Sequence, residues 1–93
     1  MDSPPKLLPD DITLVSIFKN GSAYEVRIIT ASLAGDIDKI AGKDSKLVFY
    51  RPFHEVLLAI AYRDVLKKLP DESLRAIVEI ENPEEMELTI NIK

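Results

Sequence analysis

Along residues 52–69, PFHEVLLAIAYRDVLKKL, the apolar positions follow two helical rows rather than one. At about 100° per residue, Leu58, Tyr62, Val65 and Leu69 recur at helical spacing and form one continuous stripe, with Leu66 on its flank. That stripe reads as the core-facing side. Phe53, Val56, Leu57 and Ile60 also keep helical spacing, point roughly the opposite way, and are followed in their row by Asp64 and Lys67. Two placements suit this shorter stripe. It is either buried within one chain, or it is a surface for a partner or a second copy, because contiguous exposed apolar area marks interfaces. Phe53, Val56, Leu57 and Ile60 are thus the candidate interface. Pro52 is expected at the first helical position, Lys67 and Lys68 at the carbonyl end of the helix dipole, and Pro70 just beyond the helix.

Elsewhere the period is two. From Ile12 to Phe18, ITLVSIF is apolar on both alternate sets, as expected for an interior strand or one covered on two sides. Asn20-Gly21 is a strong hairpin signal. In the following AYEVRIIT, Tyr24, Val26 and Ile28 alternate with Glu25 and Arg27, predicting a strand with one wet face that pairs antiparallel with the first. Leu33, Ile37 and Ile40 predict a short helix between Ser32 and Gly42. Residues 46–51, KLVFYR, read as a central strand. Leu74, Ala76, Val78 and Ile80, then Met86, Leu88, Ile90 and Ile92, alternate with polar residues and predict two last strands joined by a turn at Asn82-Pro83-Glu84-Glu85. The expected fold is α+β: a two-layer sandwich in the order ββαβαββ, with a mostly antiparallel sheet of about five strands and both helices on one face.

Residues 1–11 hold three prolines and three acids, which predicts an extended tail ahead of a single domain over residues 12–93. No apolar run approaches the roughly 18 residues of a membrane span, and the first residues lack the layout of a signal peptide, so a cytoplasmic location is expected. Cysteine is absent, which removes disulfides, thiolate nucleophiles and thiolate metal sites. Gln and Trp are also absent while Ile, Leu, Lys and Glu are abundant, the direction of thermophile compositions, and this points to a thermophilic, archaeal source. A net charge of −4 disfavours direct attraction to nucleic acid or anionic lipid.

Candidate chemistry is sparse. The single histidine, His54, is expected near the start of the long helix and on the surface. No second His or Cys completes a metal set with it, so neither a metal nor a cofactor is expected. Phosphate-cradling and nucleophile motifs are missing. Glu79, Glu81 and Glu87 are expected on a solvated face of the last hairpin. Lys43, Lys46 and Arg51 bracket the third predicted strand, and Arg51 precedes a helix N-terminus that favours anions; Lys46, Arg51 and His54 are the candidate ligand site. With the order of elements around it, the Arg51-Pro52-Phe53 step loosely resembles a small CRISPR-associated ring-nuclease family, whose members bind cyclic oligoadenylate as dimers or larger assemblies. The family's glycine-rich lead-in and its histidine near the helix end are not present here. The resemblance implies a nucleotide- or oligonucleotide-binding function. The residues themselves favour a non-catalytic protein-interaction module, a homodimer or an accessory subunit, over that function and over a nucleic-acid accessory role.

Overall fold

A computed structural model describes residues 12–30 and 44–88. Within them the chain runs through three strands and then two helices: β1 (Thr13–Asn20), β2 (Ala23–Ile29), β3 (Ser45–Phe53), α1 (Val56–Lys67) and α2 (Asp71–Glu81). The strands form one antiparallel sheet in the order β2-β1-β3. This is an α+β fold, but five strands in the order ββαβαββ are not what the described residues form. The expected tail, the helix between Ser32 and Gly42, and the end of the last predicted strand lie outside them.

β1 occupies the centre because both of its faces are apolar. Val15 and Ile17 project to one side, with Val26 of β2 and Val48 and Phe49 of β3, under Ala59 and Leu66 of α1 and Leu74 and Val78 of α2. Both described helices therefore cover the same face. Leu14 and Phe18 project to the other side, into a second buried cluster with Ile12, Ile29 and Leu47. Ser16, fully buried between these two apolar residues, satisfies its hydroxyl by donating to the Arg27 carbonyl at 2.9 Å. The β1–β2 hairpin closes at the Asn20–Ala23 pair. Its loop residues are Gly21 and Ser22, and only Gly21 has a positive φ, 62°, as a type II′ turn requires at its first central position.

Among the described residues β3 is an edge strand of this sheet, whereas its composition predicts a central one. The reason is a register shift on β1 between Ile17, paired with Phe49, and Phe18, paired with Leu47. Val48 is the extra residue of a bulge, and this lets adjacent residues Val48 and Phe49 join the same cluster. Apolarity on both alternate sets thus reflects a bulge and two covered faces, not two neighbouring strands. The outer side of β3 is instead met by the segment after α2. Leu88 N–H donates to the Leu47 carbonyl at 2.8 Å, and the Asn82 amide donates to the Val48 carbonyl at 3.0 Å.

The long helix is shorter than predicted. Pro52 and Phe53 belong to β3, and α1 begins only at Val56. Its buried positions are Ala59 and Leu66, with Tyr62 and Leu69 partly buried beside them, so the core-facing stripe is turned by about 50° from the predicted one. Leu58 and Val65, read as core, are exposed. Ala59 explains the shift, because a small side chain lets the helix axis approach the sheet while contributing little to the apolar pattern.

Residues 71–81 form a helix and not the predicted strand. Leu74, Ile77 and Val78 stand at i, i+3 and i+4 as well as fitting an alternation, and the helical reading is the one that leaves Ile80 81% exposed. Pro70 at the N-cap and Asp71 and Glu72 in the first turn supply the local start signal. The turn at Asn82-Pro83-Glu84-Glu85 forms as expected, with Glu85 N–H donating to the Asn82 carbonyl at 2.9 Å, but it leads out of a helix rather than joining two strands. Met86 and Leu88, in the last predicted strand, form none within the described residues.

Candidate functional site

On α1, the side away from the sheet carries the surplus of apolar residues. Leu57 is 75% exposed, Leu58 and Val65 are each 57% exposed, and Ala61 between them is exposed as well. At about 100° per residue these four positions share roughly 100° of arc. The patch is continuous along the helix. Of the predicted interface residues, Leu57 lies in it. Val56, 52% exposed, and Ile60, half-buried, stand on a neighbouring flank. Phe53 is not on the helix: it is half-buried on β3, its ring 5.4 Å from that of Tyr62. Leu58, Ala61 and Val65 are the members that the sequence pattern missed, and the signal for them was the spacing of Ala59, Tyr62, Leu66 and Leu69.

Lys46, Arg51 and His54 are not gathered into one place. Lys46 pairs with Lys19 near the hairpin end of the sheet, whereas Arg51 lies roughly 16 Å further along β3 at about 3.3 Å per residue. Arg51 sits over the rings of Phe49 and Tyr62, at 5.8 and 5.4 Å, with Glu81 3.5 Å from its guanidinium. His54 is exposed in the bend between β3 and α1. Lys46 lines an open cleft of about 480 Å³ together with Lys19, Gly21, Asp44, Ser45 and Glu87. Two ammonium groups and two carboxylates share that cleft, so it carries no strong charge of either sign.

Behind it is a polar cluster that no sequence motif announced. Glu85, 8% exposed, accepts a hydrogen bond from the Tyr24 hydroxyl and another from the Lys19 ammonium at 3.2 Å. Its φ of 50° puts it in the left-handed region. The Tyr24 bond, aided by Lys19 and opposed by burial, holds the Glu85 carboxyl below its usual range. Burial, and then Glu85, push the Tyr24 hydroxyl up to about 12. Asn82 completes the fastening: its amide donates to the Val48 and Met86 carbonyls at 3.0 and 2.9 Å, and its side-chain oxygen accepts from Met86 N–H at 3.1 Å. Every group of this cluster is engaged in holding residues 82–88 to the sheet, which gives it a structural role.

Among the described residues no three His, Cys, Asp or Glu side chains converge as a metal set, and no helix is long and apolar enough to cross a membrane. The Arg51-Pro52-Phe53 step lies at the end of a strand and not at the start of a helix. No protein-family model, curated protein or solved structure matches this chain.

Proposed function

We propose that this chain is a small non-catalytic protein-interaction module, a homodimer or an accessory subunit of a larger complex, that presents the outer face of α1 to another protein. The observation that carries this reading is the row formed by Leu57, Leu58, Ala61 and Val65. A helix that already buries Ala59 and Leu66 has no need of a second apolar side for its own fold. Val56 extends the patch at its start, with Ile60 on the same flank. Leu57→Glu and Val65→Lys test it in the full chain. The expected result is a circular dichroism spectrum like the wild type, together with loss of a co-purifying partner or a fall in mass by light scattering. Retention of every association by both variants overturns the reading.

A nucleotide- or oligonucleotide-binding function draws support from Lys19 and Lys46 in the cleft and from the Arg51 guanidinium on its aromatic bed. The carboxylates of Asp44, Glu87 and Glu81 weaken it, since each stands near one of those cations. Calorimetric titration with mono- and oligonucleotides separates the two: binding abolished by Lys46→Ala would favour the ligand reading.

A further inference from the structure

We propose that the outer edge of β2 is a self-association surface whose occupant is β2 of a second copy, running antiparallel about a twofold axis at Val26. Among the described residues no strand pairs with this edge, since β2 is the terminal strand of the sheet. The hairpin fixes which backbone groups it offers. Asn20 and Ala23 close a two-residue loop and therefore form a hydrogen-bonded pair. Alternation from that pair turns the N–H and C=O groups of Ala23, Glu25, Arg27 and Ile29 toward β1, and those of Tyr24, Val26 and Ile28 outward. A twofold axis at any residue of β2 sets outward groups opposite outward groups, and charge selects Val26, because an axis at Glu25 or Arg27 opposes that residue to its own copy. With Val26 there, Tyr24 faces Ile28 of the second copy and both ends of the edge are satisfied.

The side chains are complementary in the same register. Glu25 comes opposite Arg27 of the second copy, and Arg27 opposite its Glu25, so the face away from the helices carries a ring of alternating charges. On the helix face the opposed pairs are Val26 with Val26 and Tyr24 with Ile28, all apolar or aromatic. Arg27 already donates from Nη2 to Glu25 Oε1 of its own chain at 2.7 Å, and both side chains remain open to solvent, so both charges are accessible to a second copy at this edge. This surface is separate from the outer face of α1 and does not rest on that reading.

Sedimentation equilibrium on the full chain tests the proposal. The wild type is expected to be dimeric; a strictly monomeric wild type overturns it. Ile28→Pro removes an outward N–H and no bond to β1, so a folded monomer by circular dichroism is expected, and a folded dimer overturns the proposal. Glu25→Arg and Arg27→Glu each oppose like charges across the axis and should weaken association by roughly tenfold or more. Mixing those two variants restores opposite charges between chains while leaving like charges within each chain. A heterodimer is therefore expected from two monomers, even if Ile28→Pro fails to fold. Failure to form the heterodimer overturns the register. If Leu57→Glu dissociates the dimer while the β2 variants leave it intact, association belongs to α1 and the β2 proposal fails.

Discussion

Glu85 shows how one residue can be held in an unfavourable backbone conformation by what its side chain gains. A left-handed conformation costs a residue with a Cβ about 1 kcal/mol, while hydrogen bonds to a charged group contribute about 1.5–3 kcal/mol each. The two bonds from Tyr24 and Lys19 outweigh the strain. Glu85→Gly is therefore expected to destabilise the protein in urea despite relieving φ, because glycine relaxes the backbone and forfeits both bonds. Tyr24→Phe should cost about 1.5–3 kcal/mol and move the Glu85 carboxyl back toward its usual range, which carboxyl NMR can follow. Asn82→Ala strips partners from two carbonyls and an N–H and should cost about 2–3 kcal/mol, read as a lower urea midpoint with an unchanged slope. His54, exposed in its bend, should tolerate Ala within about 0.5 kcal/mol, and a larger loss of stability would contradict that. None of the partners in this cluster was legible in the sequence, since Glu85 lies 61 residues from Tyr24 and 66 from Lys19 and no local pattern links them.

At the scale of the element, α1 carries two apolar arcs, and the tertiary structure chooses between them. The sheet takes the arc of Ala59, Tyr62, Leu66 and Leu69, and Leu57, Leu58, Ala61 and Val65 are left outside. A contrast within the predicted interface tests this. Val56→Glu, at a position 52% exposed, should change stability by no more than about 0.5 kcal/mol. Ile60→Lys, half-buried on the flank, should cost about 1–2 kcal/mol, because a long side chain can carry its charge to water while losing part of the apolar contact. Equal and large losses from both, measured by thermal unfolding, would mean that the outer arc is core. α2 makes the companion point. Four apolar residues at alternate positions satisfied a strand pattern, but Leu74, Ile77 and Val78 also satisfied a helical one, and Pro70-Asp71-Glu72 was the tie-breaking start signal.

For the whole molecule, the Tyr24–Glu85 pair ties β2 to the segment after α2, so its titration is felt as global stability. Glu85 titrates lower in the folded chain than its ordinary 4.5, so its contribution is present above that value and is lost as pH falls through the folded one. Tyr24 titrates at about 12 against an ordinary 10.0, so its contribution is complete below pH 10.0 and drains as pH rises toward 12. Urea unfolding across the alkaline range should show that fall in the wild type and a shallower one in Tyr24→Phe; equal slopes would remove Tyr24 from the account. By itself the sequence determined what local physics determines: the hairpin at Asn20-Gly21, two flanking strands, a strand at residues 46–51, a helix after it, an α+β class and an apolar surplus on that helix. These follow from side-chain periodicity and turn chemistry, which act over a few residues. Only the tertiary structure decided which arc of α1 faces the sheet, that β3 is bulged, that residues 71–81 coil rather than extend, and that Lys46 and Arg51 stand apart. Those outcomes depend on how much apolar surface each arrangement buries and on which backbone groups it leaves paired, quantities fixed by contacts between segments far apart in the chain.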